Sequence, residues 1–138
     1  MWTKSFILPT LMVLLLLIIL QLIPTYINPS LLSFNDRFFF GYFAANNLAI
    51  VILVAISYLP ITILGRSKDW LLKFISIVFI AAVLSNLLDR IFRGGAIDYV
   101  SIGSWPTFNI ADILIVITII IWSFNYLMSI KTRDRSNR

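Results

Sequence analysis

Four long apolar stretches dominate this chain and leave little room for a fold that presents a polar surface. They run from about Phe6 to Ile23, Ala44 to Leu64, Leu71 to Phe92 and Ile110 to Ile130. A helix rises about 1.5 Å per residue, so roughly 20 residues cross a hydrocarbon core about 30 Å thick. Each stretch is long enough. Of the 138 residues, 60% are hydrophobic and only 12% charged, and the charges gather between the apolar runs. A soluble domain of this size needs more charge than that on its surface. The expected fold is an all-α polytopic membrane protein with four transmembrane helices. Residues 1–138 form one membrane-embedded domain, with no internal repeat or low-complexity linker.

The first stretch reads as an uncleaved helix. Lys4 gives it a positive start, but its apolar part exceeds a signal-peptide core of roughly 7–15 residues. No alanine precedes Ala44, so an Ala-x-Ala cleavage site is absent. Basic residues set the orientation. Lys4, Arg66, Lys68, Lys73, Lys131, Arg133, Arg135 and Arg138 would share one side, against Arg37, Arg90 and Arg93 on the other. The positive-inside rule then places both termini in the cytoplasm. The basic balance thus reflects topology and contact with anionic lipid, and gives no support to nucleic-acid binding.

The missing residue types narrow the chemistry. The chain has no cysteine, histidine or glutamate. Thiol nucleophiles, disulfides, Ser-His-Asp triads and the common zinc sites are excluded, and no metal or cofactor is expected. Acid–base chemistry near neutral pH falls to Asp36, Asp69, Asp89, Asp98, Asp112 and Asp134. Asp69 and Asp134 lie among basic residues and read as surface charges. Asp36, followed by Arg37, reads as part of a solvated turn.

The other three share the segment Ser85–Asp112, which leaves the third helix, turns outside the membrane and begins the fourth. Asn86, Asp89, Arg90 and Arg93 follow i, i+3, i+4, i+7 spacing and so share a helix face. Gly94 and Gly95 then end the helix, and Asp98 follows in the loop. Trp105 and Pro106 mark the membrane interface. Asn109 is placed to cap the fourth helix, with Asp112 in its first turn. The short connection makes the two helices antiparallel neighbours, which can bring Asp98 and Asp112 together. Two carboxyls so placed in a low-dielectric site share a proton. One can then take a proton from water while its protonated partner polarises a carbonyl, as in aspartic proteases.

Each residue also has a plainer explanation. Asn109-x-x-Asp112 is close to a capping box, Asp89 with Arg93 is an ordinary i, i+4 ion pair, and Asp98 suits a turn. None of these explains why three Asp, two Asn and two Arg gather at one membrane edge.

At these positions the sequence resembles the bacterial lipoprotein signal peptidases (signal peptidase II). The matching elements are Asn86-Leu87-Leu88-Asp89-Arg90, Ile97-Asp98-Tyr99 and Phe108-Asn109-Ile110-Ala111-Asp112. The resemblance implies an aspartic endopeptidase that cuts the signal peptide from prolipoproteins before a diacylglyceryl-modified cysteine. Asp98 and Asp112 match the family's catalytic aspartates, and Asn86, Asp89, Arg90 and Asn109 the polar residues around them. Asn35, Phe40, Gly41 and Phe43 resemble a first-outer-loop segment that belongs, in the family, to a small β-rich cradle for substrate. The implied setting is a bacterial inner membrane, with the site on the extracytoplasmic face. Implied partners are lipid-modified prolipoproteins and membrane lipids, and a monomer is expected.

The N-terminal half departs from that pattern. Gln21 and Thr25 stand where the first helix usually carries Asp and, four positions on, Lys. Arg37 stands in place of a glycine, Ser85 directly precedes Asn86, and both outer loops are shorter. Two other readings therefore stay open: a membrane protein that binds lipidated peptides or lipids without cutting them, and a small transporter component.

Overall fold

The computed structural model describes residues 3–35, 37–38, 43–44, 60, 62–63 and 67–136. Among the described residues three long helices carry the fold: α1 (Thr3–Leu22), α2 (Trp70–Arg93) and α3 (Ile110–Ser136). Segments Ile7–Tyr26, Trp70–Arg93 and Ile110–Thr132 are long and apolar enough to cross a membrane. In lipid a backbone must satisfy its own hydrogen bonds, and a continuous helix does so. The second expected helix, over 44–64, largely lies outside the described residues. Its expected first residue, Ala44, belongs instead to a short strand, while Pro60, Thr62 and Ile63 are helical.

Local chemistry fixes the helix ends. Asp69, expected to be a plain surface charge, caps α2 by accepting from the Leu71 and Leu72 N–H groups at 2.8 and 3.4 Å. At the other end Gly94 takes a left-handed conformation (φ 79°) and its N–H donates to the Arg90 carbonyl at 3.1 Å. Glycine adopts that conformation without steric penalty. Two 3-10 turns, Ile23–Tyr26 and Pro29–Leu31, lead α1 out to the first strand.

Helix α2 lies between α1 and α3 and packs on both. Ala81 and Ala82 are completely buried on it, and such small side chains let neighbouring helices approach closely. Leu20 of α1, Ala82 of α2 and Ala111 of α3 meet in one cluster, with Ile23, Ile110, Leu114 and Ile115 packed around them. Farther along, Phe79 and Trp122 pack with ring centroids 4.9 Å apart. The outer faces of α1 and α3 stay apolar, with Leu8, Leu15, Ile120 and Phe124 exposed. A helix apolar all round suits lipid as its solvent.

Four short strands complete the described architecture: β1 (Ser33–Asn35), β2 (Arg37–Phe38), β3 (Phe43–Ala44) and β4 (Ala96–Asp98). Strands β2 and β3 pair with each other in register Arg37↔Ala44. Strand β1 pairs antiparallel with β4, matching Ser33 with Asp98 and Asn35 with Ala96. Part of the β element therefore joins the first outer segment to the α2–α3 connection. Asp98, expected in a loop, lies in a strand because β1 supplies partners for its backbone. A bridge between Val100 and Phe108 then folds the connection back towards α3.

Candidate active site

Helix spacing brings Asn86, Asp89, Arg90 and Arg93 to one end of α2. Asn86 and Asp89 are buried there, and Arg90 is half-buried. Asp89 forms an ion pair with Arg93, as the i, i+4 spacing predicts. Arg90 turns its guanidinium back to the Asn86 carbonyl at 3.4 Å.

On α3, Asn109 and Asp112 hold each other reciprocally. The Asp112 N–H donates to Asn109 Oδ1 at 3.0 Å, and the Asn109 N–H donates to Asp112 Oδ2 at 3.1 Å. This is capping-box geometry, which satisfies two orphan donors at a helix start. The Asn109 amide does more. Its Nδ2 donates to Asp98 Oδ1 at 3.0 Å and to Asn86 Oδ1 at 2.9 Å. Asn86 Nδ2 in turn donates to Asp112 Oδ1 at 2.8 Å. One residue thus caps α3 and also bridges Asp98, Asn86 and Asp112.

Asp98 enters from the sheet and is only 1% exposed. Asn35 reaches across from β1, its Nδ2 donating to Asp98 Oδ2 at 2.7 Å. Burial pushes the Asp98 carboxyl up to a pKa of about 6, and the nearby charge of Asp112 acts in the same direction. The Asn35 and Asn109 amides and the charge of Arg90 oppose that rise. A carboxyl poised near neutrality can hold or release a proton under mild conditions.

Of the seven residues singled out in the sequence, Asn35, Asn86, Asp98, Asn109 and Asp112 form one connected hydrogen-bonded cluster; Arg90 joins it at the Asn86 carbonyl, and Asp89, paired with Arg93, lies at the same end of α2. Two contributors were missed. Ser33 Oγ donates to the Asp98 carbonyl at 3.2 Å and pairs with Thr107 Oγ1 at 2.8 Å, tying β1 to the segment before α3. Neither hydroxyl carries a sequence signal, since each belongs to an unremarkable polar position. Tyr99, noted only as part of a motif, accepts the Ile110 N–H at 3.3 Å through its Oη.

Beside the cluster opens an apolar cavity of about 300 Å³, lined by Ile102, Trp105, Phe108, Ile113, Val116 and Ile117, with Asp112 in its wall. A hydrophobic hollow with few polar groups is the usual form of a ligand site. Here it adjoins the Asp112 carboxyl, which the Asn86 side-chain amide and the Asn109 backbone N–H hold.

Comparison with known proteins gives this arrangement a context. A family model described as "Signal peptidase (SPase) II" matches residues 1–128. The lipoprotein signal peptidase of Moorella thermoacetica is 35% identical over 81 residues, covering 59% of this chain and 50% of that protein. The one from Syntrophomonas wolfei is 40% identical over 72 residues, covering 51% and 48% respectively. The Dichelobacter nodosus lipoprotein signal peptidase is 30% identical over 111 residues, or 70% of this chain and 69% of its own. The chain thus spans about half the length of the first two. Two solved bacterial membrane enzymes share the fold. One superposes with a TM-score of 0.69 at 17% identity, covering 96% of this chain and 92% of the other. The second has a TM-score of 0.61 at 18% identity, with 92% and 94% covered.

Proposed function

The chain belongs to the signal peptidase II family, and from that premise we propose that it is an intramembrane aspartic endopeptidase acting on diacylglyceryl-modified prolipoproteins. Asp98 and Asp112 are the catalytic pair in this reading. The observation that carries it is Asn109, which touches both carboxyls with one residue, through Nδ2 to Asp98 and through its backbone N–H to Asp112.

The chemistry follows from a shared proton. One carboxylate takes a proton from a water molecule as that water's oxygen attacks the scissile carbonyl carbon. The protonated partner donates a hydrogen bond to the carbonyl oxygen, stabilising the charge that develops there. The tetrahedral species then collapses, the C–N bond breaks and a proton passes to the departing nitrogen. Asn35, Asn86 and Asn109 hold the carboxyls through N–H donors. Arg90 balances their charge, and Asp89 fixes the end of α2 through Arg93.

The setting suits a substrate anchored in lipid. In the proposed topology four helices cross the membrane with both chain termini in the cytoplasm, and the pair faces the extracytoplasmic side of a bacterial inner membrane. Water reaches it there, and the apolar cavity beside Asp112 receives hydrophobic parts of the substrate. The protein acts as a monomer and has no role with nucleic acid.

The test is cleavage of a diacylglyceryl-modified prolipoprotein by the purified chain. Asp98→Asn and Asp112→Asn are each expected to abolish release of the signal peptide while leaving membrane insertion intact. Full processing by either variant would overturn the assignment.

A further inference from the structure

Gln21 interrupts the apolar face of α1 one residue before that helix ends, and both the nitrogen and the oxygen of its side-chain amide engage α2. Its Nε2 donates to the Ser85 carbonyl at 3.0 Å and to Ser85 Oγ at 3.1 Å. Its Oε1 accepts from Arg93 Nη1 at 3.1 Å. Ser85 directly precedes Asn86, whose Nδ2 holds Asp112 Oδ1 at 2.8 Å. Arg93 also grips Asp89, one turn along the same helix. A single amide on α1 therefore holds α2 on both sides of the turn that presents Asn86.

We infer that Gln21 is a positioning residue for the Asp98–Asp112 site, setting the rotation of α2 so that Asn86 meets Asp112. The inference rests on the peptidase reading above. A carbonyl oxygen has two lone pairs, so the Ser85 carbonyl can serve the helix and still accept from Gln21. Donation is the part that only an amide supplies here. A carboxylate of the same size would keep the acceptor for Arg93 but lose both donors to Ser85. A leucine would lose all three contacts while keeping an apolar side chain of similar size. Because Asn86 reaches both Asn109 and Asp112, a small rotation of α2 alters two contacts at once. A misplacement of about 1 Å away from the reacting atoms can lower turnover by about 100-fold.

The experiment compares Gln21→Glu, Gln21→Leu and Asp112→Asn in the purified full chain, with a diacylglyceryl-modified prolipoprotein as substrate. Gln21→Glu and Gln21→Leu are each expected to lower kcat about five- to twentyfold, since interhelical hydrogen bonds in membrane proteins are individually modest. KM is expected to stay within about twofold, because no contact to substrate is removed. In chain labelled with 15N-asparagine, the Asn86 side-chain amide signals are expected to shift in both variants while the thermal midpoint stays near wild type. Wild-type kcat in both variants, or a loss that merely tracks the folded fraction, would overturn the inference. Wild-type behaviour of Gln21→Glu alone would overturn it too, by assigning the effect to the Arg93 contact. Asp112→Asn separates the two levels. If it cleaves normally, the peptidase reading fails; if it is inactive while the Gln21 variants are normal, only the positioning role fails.

Discussion

Asn109 and Asp112 bind each other through backbone and side chain in both directions, at 3.0 and 3.1 Å, so the start of α3 and one wall of the carboxyl pair are built together. Two substitutions separate these roles. Asn109→Asp keeps a good helix cap but replaces the amide donor with a third carboxyl beside Asp98 and Asn86. Asn109→Ala removes both. We predict that Asn109→Asp melts close to wild type yet loses most of its turnover, whereas Asn109→Ala also loses about 1 kcal/mol of stability. Thermal melting and prolipoprotein cleavage, measured side by side, check this. Equal activity in Asn109→Asp and wild type would contradict it.

The raised Asp98 pKa of about 6 gives a pH dependence with a definite sign. In the unfolded chain an aspartate loses its proton near pH 3.9. Between that value and about 6 the folded state holds the proton and the unfolded state does not. Stability therefore falls as pH rises through this window. The melting midpoint is expected to carry a component that decreases from about pH 4 to about pH 6 and disappears in Asp98→Asn. In the proposed mechanism the same ionisation would remove the shared proton, so kcat/KM is expected to show an alkaline limb near pH 6, an apparent value belonging to the pair. A midpoint component that rises with pH in wild type and vanishes in Asp98→Asn would refute the assignment.

Not all of this was legible in the amino-acid order. The described membrane helices follow from length and apolarity, and the Asn86–Arg93 face follows from helical periodicity. Asn109 and Asp112 lie three residues apart, so their mutual contact is a local property that sequence can display. The pairing of β1 with β4 is different. Strands of three residues carry almost no alternation signal, and Asn35 meets Asp98 across 63 positions of chain. The Ser33–Thr107 contact spans 74 positions and uses two common hydroxyls. Gln21 entered only as a departure from the family's first-helix pattern, and its partner on α2 depends on how two helices pack. Tertiary contacts of this kind leave no local trace.

Gly95 is where that sheet pairing is most vulnerable. A Cβ added there would lie 2.8 Å from the Asn35 carbonyl oxygen and 2.8 Å from the Phe34 ring. The ring is exposed and can swing away, but the carbonyl belongs to the β1–β4 ladder that presents Asn35 to Asp98. Gly95→Ala is expected to lower turnover about tenfold or more by loosening the Asn35–Asp98 contact. Gly94→Ala should instead lower stability by about 1 kcal/mol, because its strain is a positive φ at a helix cap. Swapped effects, with Gly94→Ala the slower enzyme and Gly95→Ala the less stable protein, would argue against the sheet as the element that sets Asp98.

The Ser33–Thr107 hydroxyl pair offers a sharper measure of how firmly Asp98 is held. Ser33 contacts the Asp98 backbone as well as Thr107, so removing either hydroxyl should loosen one strap across the site. A side-chain hydrogen bond contributes about 0.5–1.5 kcal/mol net. Because each residue is the other's partner, the losses should not add. We predict that Ser33→Ala and Thr107→Val each reduce stability by about 1 kcal/mol. The double variant should be less destabilised than the sum, leaving a coupling of at least about 0.5 kcal/mol. Turnover should follow Ser33 more than Thr107, since only Ser33 touches Asp98 directly. Strict additivity in the melting data would show that the two hydroxyls do not act as one strap.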